Sequence, residues 1–563
     1  MKPRVIRLLG YALVLIGLVL LVLVNALNKQ YLTELISNWS VMDKWSQDQL
    51  NDRITLNARL VMGLAFVLIT ILGGWITAYA NSISGKMHAV RQWLFQISRR
   101  LSQIPSTYKL VALGILIISF GFNLFNVITR PIFYDEAWTY LNFTSQGLAT
   151  AISYYPLPNN HVLHTVLTVL SCNLPFGTTI NLRLPSLFMA SLTAVVFGYS
   201  TFRLFGKRIA LLLLPVFSLL FPVAYYSYLS RGYMLVLLAF IICFYSSLRL
   251  VENECSFSAA AKYNRLLTIG GIIGLYTMPS FVYPLFCCVS FVMVYWLING
   301  EKRLMWQLMK LNVISALVVF LLYSPIILRS GWSALTNNEM VRPLPRSQVW
   351  DGLWEHFSKT TEFLFDLPLI LFLFLLLLVL ILLLSRGLKT YLSLYLLIMP
   401  PVLLMVHGVI PFPRTWIYLL VVILFLLGRV LRTLQVERKM QLPAIAMIWS
   451  LVIIFNVVRF HFRIQSQEYF SYRAVEVSEK LIDEGANRVY VNHALMEINL
   501  RYIVQEENAD MGIHFSREAL TPSVINRVGQ SCDWLILDQP YEGSIQWEFT
   551  SSGDYPMYLG RFE

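Results

Sequence analysis

Apolar runs of bilayer length recur along the whole chain. The first, within MKPRVIRLLGYALVLIGLVLLVLVNALNKQ, has no charged residue from Leu8 to Asn28. Comparable windows lie near 8–27, 59–80, 110–129, 182–202, 208–226, 232–250, 265–279, 281–299, 309–328, 367–385, 389–408, 415–430 and 442–460, about thirteen in all. Each approaches the ~20 residues that an α-helix needs to cross the hydrocarbon of a bilayer. The chain has 563 residues, 57% hydrophobic and 13% charged, with a mean hydropathy of +0.62. That balance excludes an ordinary soluble globule and predicts a polytopic α-helical membrane protein.

The basic N-terminus begins like a signal peptide, but its apolar run is too long for one and no small-residue cleavage site follows, so it reads as an uncleaved first span. Pro279 and Pro284 interrupt the region 265–299. Lys262 and Arg265 precede it and Lys302 and Arg303 follow it, so both flanks belong on the basic, cytoplasmic side and the chain crosses twice. The same rule puts Lys2, Arg4 and Arg7, the stretch Lys86 to Lys109, Arg203–Lys207–Arg208, Arg386–Lys389 and Arg429–Lys439 on that side. Loops 28–58, 130–181, 226–231, 329–366 and 409–414 and the tail after 461 then fall on the outer, periplasmic face of an inner (plasma) membrane.

Residues 461–563 are of different composition, with 16 of the 31 acids but 8 of the 44 bases. The positive charge therefore sits on the membrane part as a topology signal and implies no nucleic-acid partner. AVEVSEKLIDEGA, RVYVN, ALMEINLRYIVQ and DWLILD alternate helical and strand patterns, predicting a small C-terminal α/β extramembrane domain. The expected organisation is 1–109, two N-terminal helices and a basic loop; 110–460, a catalytic core with outer loops 130–181 and 329–366; and 461–563, the α/β domain. The six cysteines form no CxxC pair or disulfide framework.

Chemistry is expected in the outer segments. Loop 130–181 starts with RPIFYDEAWTYLNF, where Asp135 and Glu136 stand directly after a span. It continues through YYPLPNNHVLHTVLTVL, whose His161, Leu163, Val166, Leu167 and Leu170 have the spacing of an amphipathic helix on the membrane. The turn YYSYLSRGYML gathers Tyr225, Tyr226, Tyr228, Arg231 and Tyr233. HGVIPFPRTWIY adds His407, Arg414 and Tyr418, and loop 329–366 holds Arg329, Arg342, Arg346 and Lys359. Arginine binds phosphate through a fork of donors and keeps its charge. A sugar on a lipid phosphate has a good leaving group, so its transfer needs mainly a base for the acceptor hydroxyl, and one carboxylate suffices.

The ordered set of these motifs, with INLRLPSLFMASLTAVVFGYSTFRLFG between them, resembles the GT-C superfamily of polytopic glycosyltransferases over about 110–430. It is most similar to the bacterial relatives of protein O-mannosyltransferases and of the lipid A aminoarabinose transferase. The resemblance implies a polyprenyl-phosphate-sugar donor, an external active site and transfer with inversion to a glycan, lipid or protein acceptor. It places Asp135 as base with Glu136 beside it, and Arg231 and Arg414 on the donor phosphate. It also carries His161, Tyr233 and Tyr418 into the substrate site. Val162 stands where relatives have proline, and there is no DxD motif, which leaves a divalent metal open.

Other readings of the same residues stand beside this one. Acids at a helix start favour its dipole, arginines at span ends snorkel to headgroups, and a tyrosine cluster is what an interfacial belt looks like. A lipid-linked polysaccharide polymerase or ligase would also have large arginine-bearing loops. A transporter would put ionisable residues at mid-span and show internal repeats, which this sequence lacks. A scaffold displaying the tail would explain the tail but not the arginines.

Overall fold

The structure is a computed structural model that describes residues 3–26, 56–81, 104–252, 257–338, 341–383, 387–518, 521–538, 545–551 and 557–562. Most of loop 28–58 and most of the basic stretch after Lys86 lie outside the described residues. The helices are α1 (Pro3–Ala26), α2 (Leu56–Ala78), α3 (Ser106–Thr129), α4 (Tyr134–Thr139), α5 (Gly147–Ser153), α6 (Val162–Ser171) and α7 (Thr178–Phe205). There follow α8 (Lys207–Leu219), α9 (Phe221–Tyr228), α10 (Tyr233–Leu250), α11 (Phe257–Thr277), α12 (Val282–Ile298) and α13 (Lys302–Arg329). Apart from the single turns Ser333–Thr336 and Val436–Lys439, the series continues with α14 (Arg346–Phe365), α15 (Leu369–Leu383), α16 (Leu388–His407), α17 (Leu419–Thr433), α18 (Leu442–Asp483), α19 (Ala494–Glu506) and α20 (Pro522–Gly529).

Over the described residues, every apolar window of the sequence falls mainly on helix. Among the described residues, 9 helices are long and apolar enough to cross a membrane, or up to 11 if each of two bent pairs counts as one span. Two expected spans are helical but fall outside that set: α2, which runs into undescribed side chains, and α11, whose first turns carry Lys262 and Arg265.

The two bends have local causes. Leu220 leaves the helical region and Pro222 starts α9, turning it 59° from α8. Asp366 caps α14 in the left-handed conformation, φ 60°, and Pro368 follows, so that α15 departs at 73°.

The bundle is ordered by burial. α10 is buried along most of its length, and stacks Phe240 on Phe244. α1 and α3 turn Leu15, Val22, Ile117 and Phe125 outward, where lipid rather than water is the solvent and helices satisfy their own backbone. α1 and α2 approach closely at Gly10, Gly17 and Gly73, where an added Cβ would strike the facing helix backbone.

α18 runs unbroken from the bundle to Asp483 and delivers the chain to a five-stranded sheet. Its strands are β1 (Arg488–Val491), β2 (Gly512–Phe515), β3 (Trp534–Leu537), β4 (Ile545–Ser551) and β5 (Met557–Phe562), in the order β2-β1-β3-β5-β4. β1 pairs in parallel with β2 and β3, whereas β5 pairs antiparallel with β3 and with β4. The strand WLIL of β3 is buried at every residue, as expected of a central strand covered on both faces. The sheet does not hang free: Tyr502 and Ile503 of α19 share a buried cluster with Ile132, Ala137 and Leu182 at the mouth of the bundle.

Candidate active site

The site forms where α3 ends, α7 begins and α9 meets α10. Arg130 is extended before Pro131, as a residue preceding proline prefers, and the chain turns into α4 at Tyr134. The Glu136 carboxylate folds back to accept the Phe133 N–H at 3.0 Å, a helix N-terminus closed by its own third residue.

Glu136 is fully buried and fully engaged. Its Oε1 accepts from Arg183 Nε at 3.0 Å and from the Ser230 N–H at 2.6 Å, and its Oε2 accepts from Arg183 Nη2 at 2.7 Å. The other Arg183 donors reach the carbonyls of Val127, Arg130 and Pro131 at 3.2, 2.8 and 2.7 Å. One buried guanidinium thereby fixes the end of α3, the start of α4 and the turn after α9.

That turn is held amide by amide. Ser230 N–H goes to Glu136, Arg231 N–H meets Ser186 Oγ at 3.3 Å, and Gly232 N–H donates to His161 Nδ1 at 2.9 Å. A side chain at Gly232 would crowd His161 and Thr277, so the position must be glycine.

Asp135, unlike its neighbour, keeps 14% of its side chain exposed. Its Oδ2 lies 3.8 Å from Arg231 Nη2 and 3.7 Å from Arg414 Nη2. At these distances the charges attract, but neither guanidinium is closed onto the carboxylate by a hydrogen bond. Arg231 is buried; its Nη1 reaches Thr139 Oγ1 and the Asn159 carbonyl, both at 3.2 Å, and its Nε has no partner. Arg414 sits in the turn Pro413–Trp416 over the Phe412 ring, with 26% of its side chain exposed.

His161 precedes α6. Its Nδ1 accepts from Gly232, so in the neutral ring the proton is on Nε2, which points at Arg231 Nη2 at 3.3 Å. Burial first, then the charge of Arg231, holds His161 well below the usual histidine range and keeps it neutral. An Nε2–H beside a guanidinium has no acceptor there and is free to donate to an anion. Tyr233 stands edge-on to His161 at 5.2 Å and packs on Tyr226 at 4.0 Å.

Asp135, Arg231, Arg414, His161 and Tyr233 are thus brought together, with Glu136 directly behind them. Tyr418 is placed apart: fully buried, its ring packs on Phe240 of α10 at 4.9 Å. Residues that the sequence reading did not single out complete the frame. They are Arg183, Ser186, Thr139, Asn159 and, from α18, Glu468. Arg183 carried a signal, a lone charge inside an apolar window with Pro185 beside it.

The loop 329–366 clasps the site from another side. Arg329 Nη1 donates to Ser153 Oγ at 3.1 Å and lies over Tyr154. His356 of α14 accepts the Trp416 indole N–H at 2.7 Å, bracing the turn that carries Arg414.

Among the described residues, no three His, Cys, Asp or Glu side chains gather to hold a metal ion. Asp135 already faces two guanidiniums, whose charge opposes a cation.

No protein-family model matches the chain, and no curated protein matches its sequence. Solved structures do match. The apo crystal structure of ArnT from Cupriavidus metallidurans superimposes with a TM-score of 0.52 at 12% identity, covering 84% of this chain and 98% of that one. The same protein bound to undecaprenyl phosphate superimposes with a TM-score of 0.50 at 12% identity, covering 81% and 97%. The likeness is one of fold: the chain is folded as ArnT is over most of the length of both.

Proposed function

We propose that the protein transfers a sugar from a polyprenyl-phosphate donor to an acceptor hydroxyl at the outer face of the membrane, with inversion. The observation that carries this reading is Asp135 poised between Arg231 and Arg414 at 3.8 and 3.7 Å. Two permanent cations converge there with one partly exposed carboxylate, and neither cation is hydrogen-bonded to it. The ArnT structure with undecaprenyl phosphate supports the donor class. The basic loops of the sequence support the outer face.

In this mechanism the donor phosphate takes the two guanidiniums from Asp135, and His161 Nε2–H donates to a phosphate oxygen. Asp135, no longer facing them, is left to accept a hydrogen bond from the acceptor hydroxyl and to take its proton as the hydroxyl attacks. The acceptor oxygen attacks the anomeric carbon opposite the phosphate. The carbon–oxygen bond to phosphate breaks, its electron pair leaves with the phosphate, and the guanidiniums stabilise the growing charge. Displacement from the opposite side inverts the anomeric centre. All four hydrogen-bonding directions used at Glu136 go to protein donors, so we assign Glu136 to positioning and Asp135 to proton transfer. Tyr418 takes part only through the packing of α17 on α10.

The test is mass spectrometry of envelope glycans, lipids and glycoproteins from cells with and without the protein. One monosaccharide modification is expected to disappear. An unchanged envelope profile, with the protein verified as expressed, would contradict the reading.

A further inference from the structure

α18 carries Glu468 out of the bundle and places it, 1% exposed, behind the site. Its Oε1 accepts from Tyr228 Oη at 2.5 Å. Tyr228 ends α9, immediately before the turn that presents Arg231. The Glu468 Oε2 lies 3.6 Å from Arg130 Nη1 and has no hydrogen-bond donor. Arg130 in turn bonds Asn126 Oδ1 at 2.9 Å and Tyr472 Oη at 3.2 Å. The Arg183 guanidinium stands 5.8 Å from the Tyr228 ring.

We propose that Glu468 is a titratable positioning residue through which the C-terminal segment sets the Arg231 turn and the Arg130–Phe133 segment. The structural coupling follows from these contacts alone, and its effect on donor binding rests on the transferase reading.

The groups facing Glu468 are Arg130 from the end of α3, Tyr225 and Tyr228 from α9, Arg183 from α7, Glu136 from α4 and Tyr472 from its own helix. A single hydrogen bond and one long ion pair compensate poorly for burying a carboxylate. Burial therefore raises its pKa to about 7, although the Tyr228 bond, Arg130 and Arg183 pull the other way. The sign follows. The closed arrangement binds a proton more tightly than an opened one, so closure is strongest at low pH and weakens as pH rises through about 7. Between pH 6 and 8 the opening equilibrium should grow about tenfold.

The experiment is hydrogen exchange on the full chain in lipid nanodiscs at pH 6 and pH 8, corrected for intrinsic rates. It follows peptides covering 126–140 and 225–233 in the wild type, Glu468→Gln and Glu468→Ala. Gln keeps an acceptor for Tyr228 without a titratable charge. The wild type should open about tenfold more at pH 8, Glu468→Gln should respond equally at both pH values, and Glu468→Ala should be loosened at both. Equal pH responses in the wild type and Glu468→Gln would overturn the proposal, whether or not the Ala variant folds. In parallel, undecaprenyl phosphate affinity should fall from pH 6 to 8 in the wild type but not in Glu468→Gln. If the wild type binds no undecaprenyl phosphate at either pH, the donor assignment fails while the exchange data still decide the role of Glu468.

Discussion

Glu136 and Arg183 form an ion pair at 2.7 Å with neither side chain exposed, joining the segment after α3 to α7. Such a pair repays its desolvation only if every remaining donor and acceptor is satisfied, and here the carbonyls of Val127, Arg130 and Pro131 and the amides of Phe133 and Ser230 do so.

Removing one partner leaves a buried unpaired charge. Arg183→Met and Glu136→Leu should each lower stability by about 3–5 kcal/mol, and the double variant should be less destabilised than either single one. Thermal unfolding in detergent reads this directly. A double variant that loses the sum of the two single effects would show that the two side chains act independently.

Arg231 and Arg414 are predicted to bind the donor phosphate. Arg231→Ala and Arg414→Ala should each weaken undecaprenyl phosphate binding by about ten- to a hundredfold, the range of a charge-assisted hydrogen bond. Arg231→Lys should restore little, because Arg231 reaches Thr139 and Asn159 with one nitrogen and faces Asp135 with another. Arg414→Lys should restore more, since Arg414 is more exposed and meets Asp135 through a single nitrogen.

His161 separates its two roles by atom. Asn at 161 can accept the Gly232 N–H in place of Nδ1 but offers no donor at the position of Nε2. His161→Asn is therefore expected to fold and to bind undecaprenyl phosphate more weakly. Because burial and Arg231 depress the pKa of His161, the wild type loses stability as pH falls below the ordinary histidine value near 6.5. This acid-side loss should diminish in His161→Asn, as read by melting temperature against pH. Superimposable profiles would show that His161 is not held neutral by the fold.

The spans were legible because bilayer thickness writes itself into the length of apolar runs, and over the described residues each window falls mainly on helix. The convergence of Asp135, Arg231 and Arg414 was also legible, since every one stands in a segment that joins two apolar windows. Three features were not. Arg183 sits inside the quoted INLRLPSLF, yet only its partners show that the charge is structural. Glu468 meets Tyr228 across 240 residues, and no local pattern encodes such a pairing. Tyr418 shares a segment with Arg414, but the tight turn Pro413–Trp416 rotates the following side chains into the core.

Proton transfer by Asp135 is the central claim, and its most direct measurement is release of free polyprenyl phosphate from a polyprenyl-phosphate sugar by the purified protein with envelope acceptors. The wild type should turn over. Asp135→Asn should lose about 10²–10⁴-fold in rate, the range for removal of a general base, while binding undecaprenyl phosphate at least as well. Turnover by Asp135→Asn at the wild-type rate would contradict the account.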